Sequence, residues 1–256
     1  MRVFRFCAIC SDNPIGRSLM EAQMDRARNA RLGILMLDTR FPRFPGDVGH
    51  RESWPFPVRY RSVPGATPQV IVETDPEPFV EAFIAAGAEL VAEGCQGIAT
   101  TCGFLAPLRP RLARALGVPV ASSALEQAAQ IRATLPSDRC LGILTISRSS
   151  VSPELMAVAG VPENSVVAGL DGTGFARSIL GNSDRLDFDL ARREMVAAAC
   201  EMVDASPSIG AILLECTNMP PYAAEIARTT GRPVYSIWTY LRWFHEALEP
   251  QVFPKP

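Results

Sequence analysis

The chain alternates short, continuous apolar runs with longer segments in which apolar residues recur every three or four positions. Runs at residues 33–38, 97–99, 140–146 and 211–214 have the length and composition of strands that are buried on both faces. Several of the intervening segments begin with proline after a capping residue and end at glycine, which predicts helices. Alternating strands and helices predict an α/β fold with parallel sheets.

One strand–turn–helix segment occurs twice. In the first copy an apolar strand and two threonines lead to Cys102, and in the second an apolar strand leads to Cys216, which two small polar residues follow; a helix-opening proline comes after each cysteine. The cysteines are 114 positions apart (216 − 102), and Gly117 and Gly231 keep that separation (231 − 117). A fixed offset indicates two copies of one βα unit. We therefore predict two pseudosymmetric lobes, each a parallel sheet flanked by helices, with the active site in the cleft between them.

We assign residues 1–124 to the first lobe and residues 125–236 to the second, with residues 237–256 returning to the first. Residues 41–68 are rich in proline and are predicted to be largely non-helical, with one possible edge strand. Residues 171–177 lack the third glycine of a dinucleotide-binding fingerprint, so we predict a loop there.

Composition narrows the range of functions. The 256 residues are 48% hydrophobic and 20% charged, with a net charge of −2, which predicts a globular protein that binds neither nucleic acid nor a membrane surface. No apolar run approaches the roughly 18 residues that span a bilayer. The seven cysteines lie in apolar settings without a secretion signal, so we expect reduced thiols and a cytoplasmic protein. We also expect a homo-oligomer.

The single lysine excludes several chemistries. Lys255 stands beside the C-terminus, whereas a pyridoxal phosphate enzyme, a class I aldolase or a phosphate-binding P-loop needs a lysine within its core. Cys7 and Cys10 have CxxC spacing, but there is no second such pair, and the only histidines are His50 and His245. We therefore predict no metal site.

The two cysteine turns indicate a particular chemistry. A strand that passes through a tight turn into a helix points backbone N–H groups at its ligand, which favours a carboxylate and should lower the pKa of a thiol. Most buried cysteines are small hydrophobes, and we interpret the other five that way. Opposed thiols at Cys102 and Cys216 suit removal of a proton next to a carboxylate from one face and its return on the other. Such a pair titrates as a coupled system.

Polar residues near the turns, and at other strand ends, are candidate substrate-binding residues, because ligands of parallel sheets bind at the carboxyl ends of the strands. Arg40 and Asp47 on the proline-rich loop are possible substrate or lid contacts. The predicted substrate-binding residues are Asp38, Arg40, Thr101, Gly103, Phe104, Ser122, Thr145, Thr217 and Asn218.

The two turns, ATTCGF (residues 99–104) and LECTNMPPY (residues 214–222), resemble those of the aspartate/glutamate/hydantoin racemase superfamily. The resemblance runs from about residue 33 to the C-terminus and implies a two-lobed fold and cofactor-independent chemistry, with Cys102 and Cys216 as the catalytic pair. Gly-Phe follows the first cysteine where aspartate and glutamate racemases usually have Asn-Thr. Together with residues 37–47, the turns are more similar to the branch that holds algal dimethylsulfoniopropionate lyases, in which the same proton abstraction expels a sulfide.

The leading prediction is a cofactor-independent racemase or isomerase that transfers a proton at the carbon alpha to the carboxylate of a small amino acid or related acid. One alternative is a carbon–sulfur lyase that releases dimethyl sulfide, with aromatic side chains between Trp238 and Trp243 as a sulfonium site. A decarboxylase or cis–trans isomerase of the same superfamily is another. A two-lobed protein that binds a small acid without catalysis is the alternative from a different class. The partner is a small carboxylate in every case.

Overall fold

The computed structural model describes residues 30–254. They form two four-stranded sheets in which every neighbouring pair of strands is parallel. The first sheet has the order β2-β1-β3-β4 and consists of β1 (Leu32–Leu37), β2 (Val58–Val63), β3 (Gly97–Thr100) and β4 (Val120–Ala121). The second has the order β6-β5-β7-β8 and consists of β5 (Cys140–Thr145), β6 (Val166–Gly169), β7 (Ile209–Leu214) and β8 (Val234–Ser236). The two orders are equivalent, and the predicted duplicated α/β fold is confirmed.

Helices connect the strands. They are α1 (Pro68–Glu73), α2 (Val80–Ala92), α3 (Arg109–Leu116), α4 (Ala128–Thr134), α5 (Pro153–Val158), α6 (Gly174–Leu180), α7 (Phe188–Ala205), α8 (Ala223–Thr230) and α9 (Ile237–Leu248). Short 3₁₀ helices lie at Arg51–Ser53, Glu77–Phe79, Gly103–Leu108, Ala124–Gln127 and Pro220–Tyr222. In this part of the chain, no helix combines the length and the apolar character that crossing a bilayer demands.

The repeat found in the sequence extends to the helices that follow the cysteine turns. Helices α3 and α8 begin at residues 109 and 223 and are each eight residues long, so their offset is also 114 (223 − 109). Both end at a glycine in the left-handed region, Gly117 with φ +66° and Gly231 with φ +65°. That conformation suits glycine because it has no Cβ. The matched glycines therefore end matched helices.

The last helix crosses from one sheet to the other. It follows β8 of the second sheet, yet its side chains pack against β3 of the first, where a Cβ on Gly97 would lie 2.7 Å from Leu248 Cδ1 and 2.8 Å from Phe244 Cε1. The side chain of Gln127 also donates a hydrogen bond to the carbonyl oxygen of Ser236 (2.9 Å). We keep the lobe boundaries as a proposal. The packing of α9 against β3 supports the return of the C-terminal segment to the first lobe, whereas Gln127 and Ser236 both belong to the assigned second lobe.

Two local predictions differ from the structure. The loop predicted over residues 171–177 is wrong, because α6 begins inside it, where the hydroxyl of Thr173 accepts a hydrogen bond from the backbone N–H of Ala176 (3.1 Å). The helix α1 also begins at Pro68, the end of a segment predicted to be largely non-helical. The edge strand predicted in that segment is present as β2, which pairs only with β1 among the strands described.

A long connection between β1 and β2, residues 38–57, crosses to the other sheet, and we call it the strap. Its only regular element is the short 3₁₀ helix at Arg51–Ser53. The backbone N–H of Val48 donates to the carbonyl oxygen of Thr217 (3.4 Å) in the second cysteine turn. Gly46 packs so closely on the same region that a Cβ there would lie 3.0 Å from the backbone of Pro221. The strap therefore joins the first sheet to the second turn.

Candidate active site

Both cysteine turns line one small cavity between the sheets. Its volume is ≈ 20 Å³, on the order of the space that one water molecule needs. Admission of a small acid therefore requires the walls to move. The lining residues are Leu37, Thr39, Phe41, Arg43, Pro68, Val72, Thr101, Cys102, Gly103, Phe104, Ile146, Ile179, Leu180, Glu215, Cys216, Thr217 and Asn218.

The turns of the two copies touch each other directly. The hydroxyl of Thr217 donates a hydrogen bond to the backbone carbonyl of Thr101 (2.7 Å). The Thr101 hydroxyl in turn accepts from the backbone N–H of Leu37 (3.1 Å) at the end of β1. Residues that are 116 positions apart in sequence thus hold the two turns face to face.

Both cysteines are buried at this cavity. Each exposes 7% of its surface, and burial is the main reason that the pKa of each thiol is raised. The negative charge of Glu215 adds to the effect on both. The backbone N–H of Phe104 favours the thiolate of Cys102, as the turn geometry predicts, but it is outweighed. The expectation of lowered thiol pKa values is therefore wrong for this closed cavity, because desolvation dominates.

The two thiols are not equivalent. Glu215 raises the pKa of both thiols, each thiolate would raise the pKa of the other, and the negative charge of Asp47 acts on Cys216 in addition. Cys216 Sγ also donates to Asn218 Oδ1 (3.5 Å) and so holds a proton in this arrangement. The charge of Asp47 and the contact with Asn218 Oδ1 therefore both favour the protonated form of Cys216.

A buried carboxylate lies between the turns. Glu215 is 1% exposed, and its Oε2 accepts a hydrogen bond from the Thr145 hydroxyl (2.9 Å). Its Oε1 has no hydrogen-bond partner within residues 30–254. Burial raises the pKa of Glu215 to about 7, although the Thr145 hydroxyl and the backbone N–H of Ile146 act in the opposite direction. Gly103 packs against Oε1 so closely that a Cβ would clash with it.

The strap contributes a buried ion pair. Arg43 Nη1 lies 2.6 Å from Asp47 Oδ1, and their side chains are 10% and 4% exposed. Asp47 also accepts hydrogen bonds from the backbone N–H of Gly49 (2.7 Å) and from Asn218 Nδ2 (2.5 Å). This network links the strap to the second cysteine turn through Asn218.

Arg43 is the one basic side chain among the lining residues. Its Nη2 donates to Thr39 Oγ1 (3.0 Å), and its guanidinium carbon lies 4.8 Å from the centre of the Phe41 ring. A guanidinium has five N–H donors, and the Asp47 and Thr39 contacts occupy two of them. Within residues 30–254 the other donors have no protein partner, so they can bind an anion in the cavity.

Five of the predicted substrate-binding residues line the cavity beside the cysteines. They are Thr101, Gly103, Phe104, Thr217 and Asn218. Thr145 lies behind the lining, where its hydroxyl is bonded to Glu215. Ser122 is fully buried, with its backbone N–H and its hydroxyl directed to the carboxylate of Glu126.

Asp38 and Arg40 are not among the lining residues and lie at the exposed start of the strap. The carboxylate of Asp38 accepts from the backbone N–H of Gly65 (2.9 Å). The backbone N–H of Arg40 donates to Asn182 Oδ1 (2.6 Å). Three residues further on, Arg43 lines the cavity.

The aromatic side chains considered as a sulfonium site, between Trp238 and Trp243, are not the ones at the cavity. Trp243 is 64% exposed and stacks on Tyr240, with ring centres 5.6 Å apart. Neither it nor Trp238 is a lining residue, whereas Phe41 and Phe104 are.

Sequence reasoning missed Arg43 and Glu215, although each leaves a signal. Arg43 and Asp47 are four residues apart in a loop of mixed charge. Glu215 is a carboxylate at the end of an apolar strand, where an acidic residue is rarely buried without a specific reason.

Over residues 30–254, no group of three or more histidine, cysteine or acidic side chains is placed to hold a metal ion. Cys7, Cys10 and Lys255 lie outside the described residues.

No protein-family model matches the chain. It is 31% identical over 229 residues to dimethylsulfoniopropionate lyase 7 of Emiliania huxleyi (strain CCMP1516). The aligned region covers 85% of this chain and 67% of that protein. It is also 29% identical over 217 residues to a dimethylsulfoniopropionate lyase of Durusdinium sp. clade D, with 81% of this chain and 71% of that protein aligned.

Three solved structures share the fold. Unliganded arylmalonate decarboxylase has a TM-score of 0.55 at 17% identity, covering 89% of this chain and 96% of that one. Allantoin racemase from Pseudomonas fluorescens has a TM-score of 0.55 at 16% identity, covering 85% and 90%. Glutamate racemase from Francisella tularensis subsp. tularensis SCHU S4, solved with D-glutamate, has a TM-score of 0.53 at 11% identity, covering 88% and 85%.

Proposed function

Because the chain belongs to the dimethylsulfoniopropionate lyase family, within the aspartate/glutamate racemase superfamily, we propose that it cleaves dimethylsulfoniopropionate to dimethyl sulfide and acrylate. The resemblance inferred from the two turns is confirmed by these relatives. The observation that supports the reaction best is that two thiols, one arginine and two phenylalanine rings line a single buried cavity.

Arg43 is the proposed anchor for the substrate carboxylate. Its unused donors match the planar geometry of a carboxylate, and its pairing with Asp47 fixes its orientation. The sulfonium group then lies near the rings of Phe41 and Phe104, whose faces attract a cation. A cation in the cavity also favours a thiolate, which offsets the desolvation that raises the pKa of Cys102.

Cys102 is the proposed base. Its thiolate removes a proton from the carbon next to the substrate carboxylate, and the released electron pair forms the double bond of acrylate. The carbon–sulfur bond breaks, and dimethyl sulfide departs with the bonding electrons. Backbone N–H groups of the turn stabilise the charge that develops on the carboxylate.

A second candidate function has its own support. Elimination requires one base, whereas the cavity presents two thiols from facing turns, Cys102 and Cys216. A second thiol on the opposite wall suits return of a proton, as in racemisation of a small acid. The isomerase predicted from the sequence is therefore retained as the second candidate.

A direct assay separates the two functions. Purified protein incubated with dimethylsulfoniopropionate in deuterated water is expected to release dimethyl sulfide and acrylate in equal amounts, measured by gas chromatography and NMR. The same sample is incubated with a panel of chiral amino acids and hydroxy acids, scored for deuterium at the alpha carbon. Deuterium uptake without dimethyl sulfide release supports the isomerase instead, and folded protein active in neither assay contradicts both.

Arg43→Lys is expected to raise KM for dimethylsulfoniopropionate about tenfold and to change kcat less. Lysine keeps the positive charge but loses the fork that binds a carboxylate through two N–H groups, and one charge-assisted hydrogen bond contributes about 1.5 kcal/mol, or about tenfold in affinity. Initial rates over a range of substrate concentrations give both constants. Arg40→Lys, on the exposed part of the same strap, is the matched control and should leave KM within about twofold. Equal KM values for the two variants contradict the assignment.

A further inference from the structure

The proposed elimination leaves one proton behind in every cycle, and the following inference rests on that reaction. The substrate loses a proton to the base, and neither dimethyl sulfide nor acrylate takes it away. The base is therefore protonated after each turnover and must lose that proton before the next. Because Cys102 and Cys216 are each only 7% exposed, direct transfer to bulk water is restricted while the cavity is closed.

Among residues 30–254, Glu215 is the one carboxylate that lines this cavity. It is 1% exposed, and Oε2 is held by the Thr145 hydroxyl at 2.9 Å. The other oxygen, Oε1, has no partner in the described part of the chain and lies against Gly103, the neighbour of Cys102. A buried acceptor oxygen without a hydrogen bond lowers the stability of the fold. Its presence next to Cys102 therefore suggests a functional reason.

Other buried carboxylates are already engaged. Asp47 receives hydrogen bonds from Arg43, Gly49 and Asn218. Glu126 accepts from Ser122 and from the Tyr240 hydroxyl (3.0 Å), and it does not line the cavity.

We propose that Glu215 is the proton acceptor for the reactive thiol, and that the proton removed from the substrate leaves the site through its carboxyl group. In the first step the Cys102 thiol transfers its proton to Oε1, which gives a thiolate and a neutral carboxyl group. The thiolate then takes the substrate proton, and dimethyl sulfide departs with the electron pair of the carbon–sulfur bond. The carboxyl group releases its proton to water when the cavity opens. The Cys102 thiol then transfers its proton to Glu215 again, which restores the thiolate and the neutral carboxyl group. One proton thus reaches solvent for each substrate cleaved.

The surroundings of Glu215 suit this role. The titratable groups that share its cavity are Cys102 on the first turn, Cys216 beside it and Arg43 from the strap. Burial places the pKa of Glu215 at about 7, so its carboxyl group can both accept and release a proton near neutral pH. Because the two groups line one cavity and the charge of Glu215 raises the pKa of Cys102, they titrate as a coupled pair with apparent pKa values of its own.

Thiol reactivity tests this role without relying on the substrate. Wild-type protein, Glu215→Gln and Glu126→Gln are labelled with methyl methanethiosulfonate between about pH 5 and pH 10, because only thiolates react. The rate at Cys102 is measured by mass spectrometry. In the wild type and in Glu126→Gln it should rise with a midpoint near the pKa of Glu215, about 7. Glu215→Gln should lose the midpoint near 7 and show only the titration of the thiol itself, because glutamine accepts no proton.

Turnover gives a second measurement. Glu215→Gln is expected to lower kcat for dimethyl sulfide release about 100-fold, the lower range for loss of an acid–base group, and Glu215→Asp should restore part of it. If Glu215→Gln does not fold, Thr145→Val replaces it. Without the hydrogen bond from the Thr145 hydroxyl to Oε2, the labelling midpoint should move to higher pH, because that hydrogen bond favours the charged carboxylate.

The outcomes distinguish this inference from the proposed function. Identical labelling profiles for wild type and Glu215→Gln, or an unmoved midpoint in Thr145→Val, overturn the role of Glu215. Wild-type protein that releases no dimethyl sulfide, but whose labelling midpoint depends on Glu215, retains the proton transfer and loses the substrate assignment.

Discussion

Cys102→Ser is expected to lower kcat for dimethyl sulfide release by about 10⁴-fold, the upper range for loss of an acid–base group. A serine hydroxyl is nearly the same size as the thiol but ionises far less readily, so the base is lost while the packing of a residue that is 7% exposed is preserved. Cys216→Ser should lower kcat by only about tenfold, because elimination requires one base. Headspace gas chromatography measures both rates, and circular dichroism checks the fold.

Cys200→Ser is the control, because this thiol lies on α7 and does not line the cavity. It should retain wild-type turnover. Equal losses in Cys102→Ser and Cys216→Ser indicate two essential groups, as the isomerase requires. Full turnover in both variants removes the two-cysteine mechanism altogether.

Asp47→Ala is expected to lower the free energy of unfolding by about 3 kcal/mol or more. The substitution leaves the Arg43 guanidinium, 10% exposed, buried without its partner, and it also removes the acceptor of the Gly49 and Asn218 hydrogen bonds. Loss of these contacts frees the strap from the second cysteine turn, so KM should rise as well. Urea unfolding followed by circular dichroism gives the stability difference.

Asp38→Ala is the matched control, because this exposed carboxylate belongs to the same strap. We expect it to cost less than about 1 kcal/mol. The double variant Arg43→Met with Asp47→Ala should recover part of the stability lost in Asp47→Ala, since it no longer buries an unpaired charge. Equal stability of Asp47→Ala and the wild type contradicts the role given to the ion pair.

The duplicated architecture was predictable because it depends on residues whose local requirements are strict. A helix that ends in the left-handed region favours glycine, so Gly117 and Gly231 mark equivalent positions in both copies. Central strands covered on both faces must be apolar along their whole length, which makes β5 and β7 visible in the sequence. The cysteines could be placed because each follows such a strand.

The full lining of the site was less predictable because it depends on contacts between distant segments. Arg40 and Arg43 are three residues apart in a loop without periodicity, and only the packing of the strap decides which one reaches the cavity. Thr145 lies at a strand end, as expected, but its hydroxyl is bonded to Glu215, 70 positions away. Ile179 and Leu180 complete the lining from a helix that the sequence pattern did not reveal.

The facing arrangement of the two turns also affects stereochemistry. The carbon next to the carboxylate of dimethylsulfoniopropionate carries two hydrogens that are chemically indistinguishable in an achiral solution. In the proposed reaction, with the carboxylate held by Arg43, one hydrogen would face Cys102 and the other Cys216, both of which line the cavity. An enzyme with one base therefore distinguishes these prochiral hydrogens and removes always the same one, although its product retains no stereocentre to record the choice.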